Sequence, residues 1–186
     1  MRVLALSGSR RAASTNTALL RAAARLAPAG MQVVLYPDLG ELPLFNPDDE
    51  AAPAATVLGF QDEVAHADAL LIASPEYAHG VSGTLKNALD WLVGFEPFAG
   101  KLVAVLNASA RARHADAALR ETLGTMAAQI VEPASVALPI LGHEHDAAGM
   151  LAAPELADAI RGALAALQVA IRERKAVGSD ASPWWA

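Results

Sequence analysis

Several features that mark common classes of protein are missing from this sequence. None of its 186 residues is cysteine, which excludes disulfides, cysteine-ligated metals and thiol nucleophiles. No apolar run approaches the length of a membrane span, and residues 1–9 lack the apolar core and cleavage site of a signal peptide. The net charge of −6 argues mildly against nucleic acid as a partner. We therefore expect a soluble, cytoplasmic protein without a membrane or nucleic-acid partner.

The apolar residues that are present suffice for one full core. They make up 54% of the 186 residues, and much of this share is alanine, which favours helices packed closely on a sheet. We expect a single domain over residues 1–186, with a loose carboxyl-terminal tail from about residue 176.

Short apolar runs alternate with segments whose apolar residues have helical spacing. The runs predict five strands, at 3–6, 31–36, 69–73, 101–106 and 130–138. Such alternation predicts an α/β protein with a doubly wound parallel sheet and helices on both faces. Polar loops follow the first, third and fourth runs. They meet at one edge if the strand order is 2-1-3-4-5, the flavodoxin-like order, in which ligands bind at the carboxyl ends of the strands.

The first polar loop joins a strand to the start of a helix. Its possible phosphate ligands are Ser9, Arg10, Arg11, Ser14, Thr15 and Asn16. The free N–H groups and the dipole of a helix amino terminus attract anions, so this loop is a candidate phosphate site. The alternative is an ordinary turn in which Ser14 or Thr15 only caps the helix. From this loop alone, both interpretations remain open.

Residues 69–91 contain the most distinctive pattern in the chain. An apolar strand ends at Ser74-Pro75, because proline cannot donate a hydrogen bond to a neighbouring strand. A loop of Glu76, Tyr77, Ala78, His79 and Gly80 follows, and a helix begins near Gly83. The third polar loop, residues 107–114, contains Ser109 and two arginines, Arg111 and Arg113.

Two of these stretches resemble motifs of one known family. P-E-Y-A-H-G-V-S-G-T-L-K-N-A-L-D-W, residues 75–91, resembles the signature of the NAD(P)H-dependent FMN reductases. G-S-R-R-A-A-S-T-N, residues 8–16, resembles their phosphate loop, and L-P-L-F-N, residues 42–46, resembles their segment after the second strand. The resemblance covers roughly residues 2–138 and implies a three-layer, flavodoxin-like fold with FMN as cofactor and NAD(P)H as co-substrate.

The resemblance also implies roles for individual residues. Ser9, Arg11, Ser14 and Asn16 would hold the FMN phosphate, with Thr15 as a further donor. Lining of the isoalloxazine ring is implied for Pro75, Glu76, Tyr77 and the backbone of Ala78, His79 and Gly80, with Ser109 closing a third side. Arg111 and Arg113 would lie at the rim, where phosphates of the nicotinamide dinucleotide could bind. No catalytic acid or base is assigned, because the chemistry occurs on the flavin.

The sequence departs from the family pattern at two positions in this signature. Ala78 replaces the usual asparagine, which removes one side-chain contact. Ser82 replaces the usual proline before glycine, which we expect to loosen the turn.

Three functions are compatible with these motifs. The first is an FMN-dependent NAD(P)H oxidoreductase that reduces free flavin, quinones or similar small acceptors. The alternatives are a flavodoxin-like one-electron carrier without nicotinamide turnover, and a nucleotide-binding module without flavin. We also expect a homodimer or homotetramer, because Leu42, Phe45 and Trp91 are predicted to be exposed apolar residues.

Two further stretches carry residues of interest. His143-Glu144-His145-Asp146 contains metal-ligand types, but in one loop and without helical spacing, so no metal site is predicted. Trp184 and Trp185 lie in the tail, where packing on a neighbouring subunit and simple disorder are the alternatives.

Overall fold

Five parallel strands form the central sheet of the protein. The computed structural model describes residues 1–37, 39–109, 111–138, 140 and 146–179. The strands of this sheet are β1 (Arg2–Ser7), β2 (Gln32–Leu35), β3 (Ala69–Ala73), β6 (Leu102–Val105) and β7 (Gln129–Ile130). Two further short strands, β4 (Glu76–Tyr77) and β5 (Gly80–Val81), lie between β3 and β6 in the chain. The sheet order is β2-β1-β3-β6-β7, while β4 and β5 form a separate antiparallel hairpin. When the five strands of this sheet are numbered along the chain, without the hairpin, the order is 2-1-3-4-5, the flavodoxin-like order that the sequence predicted.

Helices cover both faces of the sheet. They are α1 (Thr15–Arg25), α2 (Ala55–His66), α3 (Gly83–Asp90), α4 (Arg113–Thr125), α5 (Ala147–Ala152) and α6 (Pro154–Ser179). Alternate residues of a strand point to opposite faces, so Leu71 packs with α1, α5 and α6, whereas Leu70 and Ile72 pack with α2, α3 and α4. This two-sided burial explains why β3 is an unbroken apolar run, and it confirms the three-layer α/β architecture.

The last helix is longer than the sequence suggested. Its apolar stripe, which includes Ile160, Leu164 and Ile171, is buried against the sheet as expected. However, α6 continues to Ser179, so the prediction of a loose tail from residue 176 is wrong for residues 176–179. The rest of the tail, including Trp184 and Trp185, lies outside the described residues. The division into a single domain stays a prediction.

The fifth sheet strand is much shorter than predicted. Only Gln129–Ile130 pairs with β6, and a 3₁₀ turn at Glu132–Ala134 follows, so the prediction of a strand over 130–138 is wrong. Pro133 explains the break, because its fixed φ and missing N–H interrupt strand pairing. Pairing resumes further on, where Ala137 forms an isolated parallel bridge with Asn107.

The long segment between β2 and α2 packs against α3. Trp91 is only 3% exposed and Leu42 only 6%, so the prediction that both are exposed is wrong, and Phe45 is partly buried. The Trp91 Nε1–H donates to the Pro43 carbonyl at 2.8 Å, and the indole ring packs edge-on against Phe45, with ring centroids 5.1 Å apart. Leu44 lies between these anchors and is 84% exposed. The segment is therefore anchored near its middle, at Pro43 and Phe45, and the apolar side chain between them is left in solvent.

Candidate active site

A cavity of about 630 Å³ opens at the carboxyl ends of β3 and β6, beside the start of α1. Its volume lies within the range of small-molecule sites, about 300–1,000 Å³. The lining residues are Thr15, Asn16, Ser74, Pro75, Glu76, Asn107, Ala108, Ser109, Arg111, Ala112 and Ile140. The three polar loops therefore meet at one edge of the sheet, where ligands of open α/β sheets bind.

The first loop needs glycine at position 8 because it passes very close to the end of β3. A Cβ atom on Gly8 would lie 2.4 Å from the Ser74 Oγ and 2.7 Å from the Ser82 Oγ. The Gly8 N–H also donates to the Ala73 carbonyl at 2.9 Å, which continues the pairing of β1 with β3 beyond the strand. This contact brings the first loop against the hairpin segment.

Both interpretations of the first loop have support in the structure. Ser14 is the N-cap of α1, is 6% exposed, and accepts a hydrogen bond from the Thr17 N–H at 3.2 Å. This is the capping role that we considered as the alternative to phosphate binding. Thr15 and Asn16, in contrast, line the cavity. The helix start is thus both capped and open to a ligand.

Asn16 tests whether the cavity suits FMN. Its side-chain Oδ1 is buried without a hydrogen-bond partner, and it is the one such atom among the described residues. A buried acceptor without a protein donor at a cavity wall is free to accept a hydrogen bond from a group bound in the cavity. The ribityl hydroxyls of FMN are donors of this kind, and the amide N–H₂ of Asn16 can donate to phosphate. The residues present therefore fit the cofactor.

The second loop, which we predicted without any strand, contains a short hairpin. Tyr77 pairs with Gly80, and the two central residues, Ala78 and His79, have φ values of 48° and 60°. Positive φ at both central positions is the requirement of a type I′ turn, in which asparagine and glycine are favoured. The asparagine that Ala78 replaces would therefore suit the backbone here better than alanine does.

Ser82 is the N-cap of the helix that follows the hairpin. It is 2% exposed, caps α3 by accepting from the Leu85 N–H at 3.3 Å, and contacts the Ser74 Oγ at 3.3 Å. Serine is among the best N-cap residues, so this bond stabilises the start of α3, and the expectation of a looser turn stays a prediction.

Two contacts join the hairpin to the start of α4. The Glu76 Oε2 accepts a hydrogen bond of 2.9 Å from the Ala115 N–H, and the imidazole rings of His79 and His114 stack with centroids 4.2 Å apart. The N-cap of α4 is Ala112, which has no capping side chain. Glu76 thus supplies from another element the negative charge that a helix amino terminus favours.

Asn107 organises the third loop. Its Oδ1 accepts from the Ser109 N–H at 3.0 Å, and its Nδ2 donates to the Ala112 carbonyl at 3.0 Å. The Ser109 Oγ accepts from the Arg111 N–H at 3.3 Å. These bonds place Ser109 and Arg111 on the cavity wall.

The cavity gathers only part of the residues that the sequence predicted. Those on its wall are Thr15, Asn16, Pro75, Glu76, Ser109 and Arg111. Those in the same loops but not on its wall are Ser9, Arg10, Arg11, Ser14, Tyr77, Ala78, His79, Gly80 and Arg113. Their roles in binding stay predictions.

Sequence reasoning missed five residues of the wall. These are Ser74, Asn107, Ala108, Ala112 and Ile140. Ser74 and Asn107 stand directly at the carboxyl ends of apolar runs, so their position in the chain was a usable signal. Ile140 follows the misjudged fifth strand, and nothing in its local sequence marks it.

No group of three or more metal-ligating side chains occurs among the residues that the structure describes. Of the acidic and histidine cluster at 143–146, residues 143–145 lie outside the described residues. Asp146 is described, and it caps α5 by accepting from the Gly149 N–H at 2.7 Å. Within the described part of the chain, no helix is long and apolar enough to cross a membrane.

The fold and the cavity define a flavodoxin-like α/β protein with a cofactor-sized site at the carboxyl ends of its strands. The sequence model of the family "NADPH-dependent FMN reductase" matches residues 1–141. The chain is 37% identical over 179 residues to an NAD(P)H-dependent FMN reductase of Pseudomonas aeruginosa, covering 92% of this chain and 96% of the relative. The chain therefore belongs to the NADPH-dependent FMN reductase family.

Other relatives agree with this assignment. A quinone reductase of Escherichia coli is 38% identical over 114 residues, which cover 59% of this chain and 60% of that protein. In solved structures, the fold is similar to a flavoenzyme NAD(P)H:(acceptor) oxidoreductase of Paracoccus denitrificans. That similarity has a TM-score of 0.79 at 27% identity and covers 92% of this chain and 97% of the other. The chain is thus an oxidoreductase, and the expected pair of FMN and NAD(P)H is confirmed.

Proposed function

We propose that the protein transfers hydride from NAD(P)H through bound FMN to free flavin, quinones or similar small acceptors. Bound FMN supplies the hydride-accepting ring atom, and the protein supplies binding, orientation and electrostatics. One observation carries the proposal against the alternative of a one-electron carrier. Among the described residues, no aromatic side chain lines the cavity. Electron carriers of the flavodoxin type enclose the flavin between aromatic rings, which would obstruct a nicotinamide.

The walls of the cavity support distinct tasks. Asn16 at the start of α1 suits the ribityl and phosphate end of the cofactor, because its amide both donates and accepts. Pro75 and Glu76 form the wall at the end of β3, where Glu76 is fixed by its bond to the Ala115 N–H. Arg111 is exposed on the wall that the third loop forms and can attract the phosphates of a dinucleotide.

The decisive experiment is anaerobic mixing of FMN-loaded protein with NADPH and, separately, NADH. We expect at least one of them to bleach the visible flavin absorption, and a quinone to restore it afterwards. Arg111→Gln should lower kcat/KM for the nicotinamide about tenfold, the effect of one hydrogen bond to a charged group, while FMN affinity stays unchanged. Arg161→Gln is the matched control, because Arg161 pairs with Asp158 on α6.

Absence of bleaching with both nucleotides, in protein that binds FMN, would favour the electron carrier. Failure of the protein to bind FMN at all would leave the nucleotide-binding module as the better description.

We also propose a homo-oligomer, a dimer or a tetramer, in which a second copy covers apolar side chains beside α3. The support is the exposure of Leu44, at 84%, and of Val93, at 64%, near the anchored Trp91. Leu44→Asp should then lower the mass measured by light scattering. A monomeric mass of the unmodified protein would contradict the proposal. The cytoplasmic location, the small-molecule acceptors and the lack of a nucleic-acid partner stay predictions.

A further inference from the structure

A second cavity lies at the opposite, amino-terminal edge of the sheet. It has a volume of about 280 Å³ and lies where the chain enters β3 and β6. The lining residues are Ala67, Asp68, Pro97, Lys101, Leu102, Ile171, Arg174 and Lys175. We call it the basal cavity. It shares no lining residue with the candidate active site.

The basal cavity has an excess of positive charge. Three of its side chains are cations, Lys101, Arg174 and Lys175, and one is a carboxylate, Asp68. This excess stands out in a chain whose net charge is −6. The chain as a whole is acidic, but the charges around this cavity attract anions.

The single carboxylate is already engaged on both oxygens. The Asp68 Oδ1 pairs with the Lys175 Nζ at 2.7 Å, and its Oδ2 accepts from the Arg2 N–H at 2.7 Å. Asp68 therefore has little capacity to neutralise the other two cations.

Lys101 and Arg174 bind backbone carbonyls instead of carboxylates. The Lys101 Nζ donates to the Ala67 carbonyl at 2.9 Å, and the Arg174 guanidinium donates to the Gly100 carbonyl. In the part of the chain that the structure describes, neither cation forms a salt bridge. A carbonyl carries no net charge, so both positive charges persist in the cavity.

The two cations also repel each other. Burial, together with the charge of Arg174, holds the pKa of Lys101 below its usual value, although Asp68 acts in the opposite direction. An anion between the two groups would relieve this repulsion and would accept hydrogen bonds from several of their N–H groups.

We propose that the basal cavity binds a small oxyanion of the phosphate class, held by Lys101, Arg174 and Lys175. Its volume accommodates the anion together with a small organic substituent. Such a ligand joins the carboxyl-terminal half of α6 to the connection between α2 and β3 and to the turn before β6. It therefore stabilises the fold from the edge opposite the flavin, and the proposal does not depend on the enzymatic reaction.

The test uses FMN-saturated protein, so that phosphate cannot bind at the flavin site. Thermal unfolding is followed with increasing inorganic phosphate, and with sodium chloride at matched ionic strength. We expect phosphate to raise Tm by about 3 °C at ten times its dissociation constant, and chloride to have no such effect. Phosphate also stabilises proteins in general by exclusion from their surface, and this contribution is equal in closely related variants.

The comparison between variants therefore decides the outcome. Arg174→Gln should abolish the specific part of the rise in Tm, and Arg161→Gln, on the same helix but away from the cavity, should retain it. Calorimetric titration of phosphate gives an independent reading, with one site per chain expected in the unmodified protein and none in Arg174→Gln. An identical phosphate response in both variants, or no heat of binding in the unmodified protein, would overturn the proposal.

Discussion

Asn87 on α3 binds the backbone of Phe45, 42 residues earlier in the chain, through a hydrogen bond of 2.8 Å from the Phe45 N–H to the Asn87 Oδ1. The Nδ2 of the same amide donates to the Pro43 carbonyl at 2.9 Å. One side chain therefore acts as donor and acceptor for a segment that has little secondary structure of its own. In the K-N-A-L-D-W part of the signature, Asn87 and Trp91 thus anchor a loop.

Asn87→Asp should release this segment. The substitution keeps the acceptor for Phe45 but places a carboxylate oxygen against the Pro43 carbonyl. We expect the free energy of unfolding to fall by about 1 kcal/mol, the net contribution of a typical hydrogen bond. Limited proteolysis should also cut the segment between residues 37 and 53 faster.

Lys86→Gln is the matched control on the same helix. Its ion pair with Asp90 is half-exposed, and such pairs contribute less than about 1 kcal/mol. Equal loss of stability in the two variants would show that Asn87 acts through the helix and not through the loop.

Glu76 provides a second prediction, which concerns the start of α4. Glu76→Gln retains an acceptor for the Ala115 N–H but removes the negative charge from the helix dipole, and we expect a loss of about 0.5–1 kcal/mol. Glu76→Ala removes both and should cost about 1–2 kcal/mol. Urea unfolding of the apoprotein measures both values.

The Glu76→Gln loss should shrink as salt is added, because the charge contribution is screened. Glu121→Gln, an exposed residue further along α4, should change the free energy little at any salt concentration. A Glu121→Gln effect as large as that of Glu76→Gln would mean that net charge, not the helix terminus, is responsible.

Asn16→Ala should separate binding from stability. Removing an unpaired buried acceptor leaves the apoprotein equally stable or more stable, while FMN affinity should fall by about 1.5–3 kcal/mol, or roughly tenfold to more than a hundredfold. FMN fluorescence quenching measures affinity, and urea unfolding measures stability. If riboflavin loses as much affinity as FMN, Asn16 binds the ribityl chain; if it loses none, Asn16 binds the phosphate. Loss of apoprotein stability without loss of affinity would refute the assignment.

The sequence predicted the elements that depend on long apolar patterns. The run from Ala69 to Ala73 and the stripe of α6 each bury a large area, so local pattern and tertiary packing agree there. The predicted length of the fifth strand was wrong because Pro133 interrupts strand pairing in spite of the apolar residues around it. The burial of Trp91 was missed because its partner, the Pro43 carbonyl, is 48 residues away in the chain.

The candidate active site, like the fold, could be predicted only in part. Residues at strand ends follow from the order of the sheet, whereas contacts between elements, such as Glu76 with Ala115, do not. Asn107 was overlooked because its contribution is to the shape of the third loop. A polar residue that holds a loop and one that binds a ligand look alike in a sequence.

Ala127 allows a stabilising substitution. It follows α4 with φ of 58°, and the Ala128 N–H donates to the Leu123 carbonyl, as in a Schellman motif that usually has glycine at this position. Ala127→Gly should raise the free energy of unfolding by about 1 kcal/mol, because glycine adopts positive φ without steric strain. Chemical denaturation provides the measurement.

The same substitution at Ala118, an exposed position within α4, is the control. Ala118→Gly should lower the free energy of unfolding by about 1 kcal/mol, the difference in helix propensity. The same chemical change is thus expected to have opposite signs within α4 and just after it, and equal signs would contradict the role given to Ala127.

Asp68 should make stability depend on pH. Burial raises its pKa, but the bonds from Lys175 and the Arg2 N–H outweigh burial and hold the pKa below its usual value. A carboxyl with a lowered folded-state pKa stabilises the fold above its unfolded pKa of about 3.9, and this contribution is lost as the pH falls through the folded pKa. Asp68→Asn should therefore cost about 1 kcal/mol at neutral pH and progressively less towards about pH 3.

Unfolding by urea across this pH range measures the difference between the two proteins. Lys175→Gln should reproduce part of the effect, because it removes the ion pair and leaves the Arg2 contact intact. A difference between unmodified protein and Asp68→Asn that stays constant with pH would show that the carboxylate charge contributes nothing.

The hairpin of β4 and β5 pairs with itself and not with the five-stranded sheet. A change in the length or sequence of its turn at Ala78 and His79 therefore leaves the ladder of the main sheet intact. Such changes can therefore alter the hairpin without redesign of the core. For protein engineering, the turn is a natural position for a loop library, in which catalytic range is selected separately from folding.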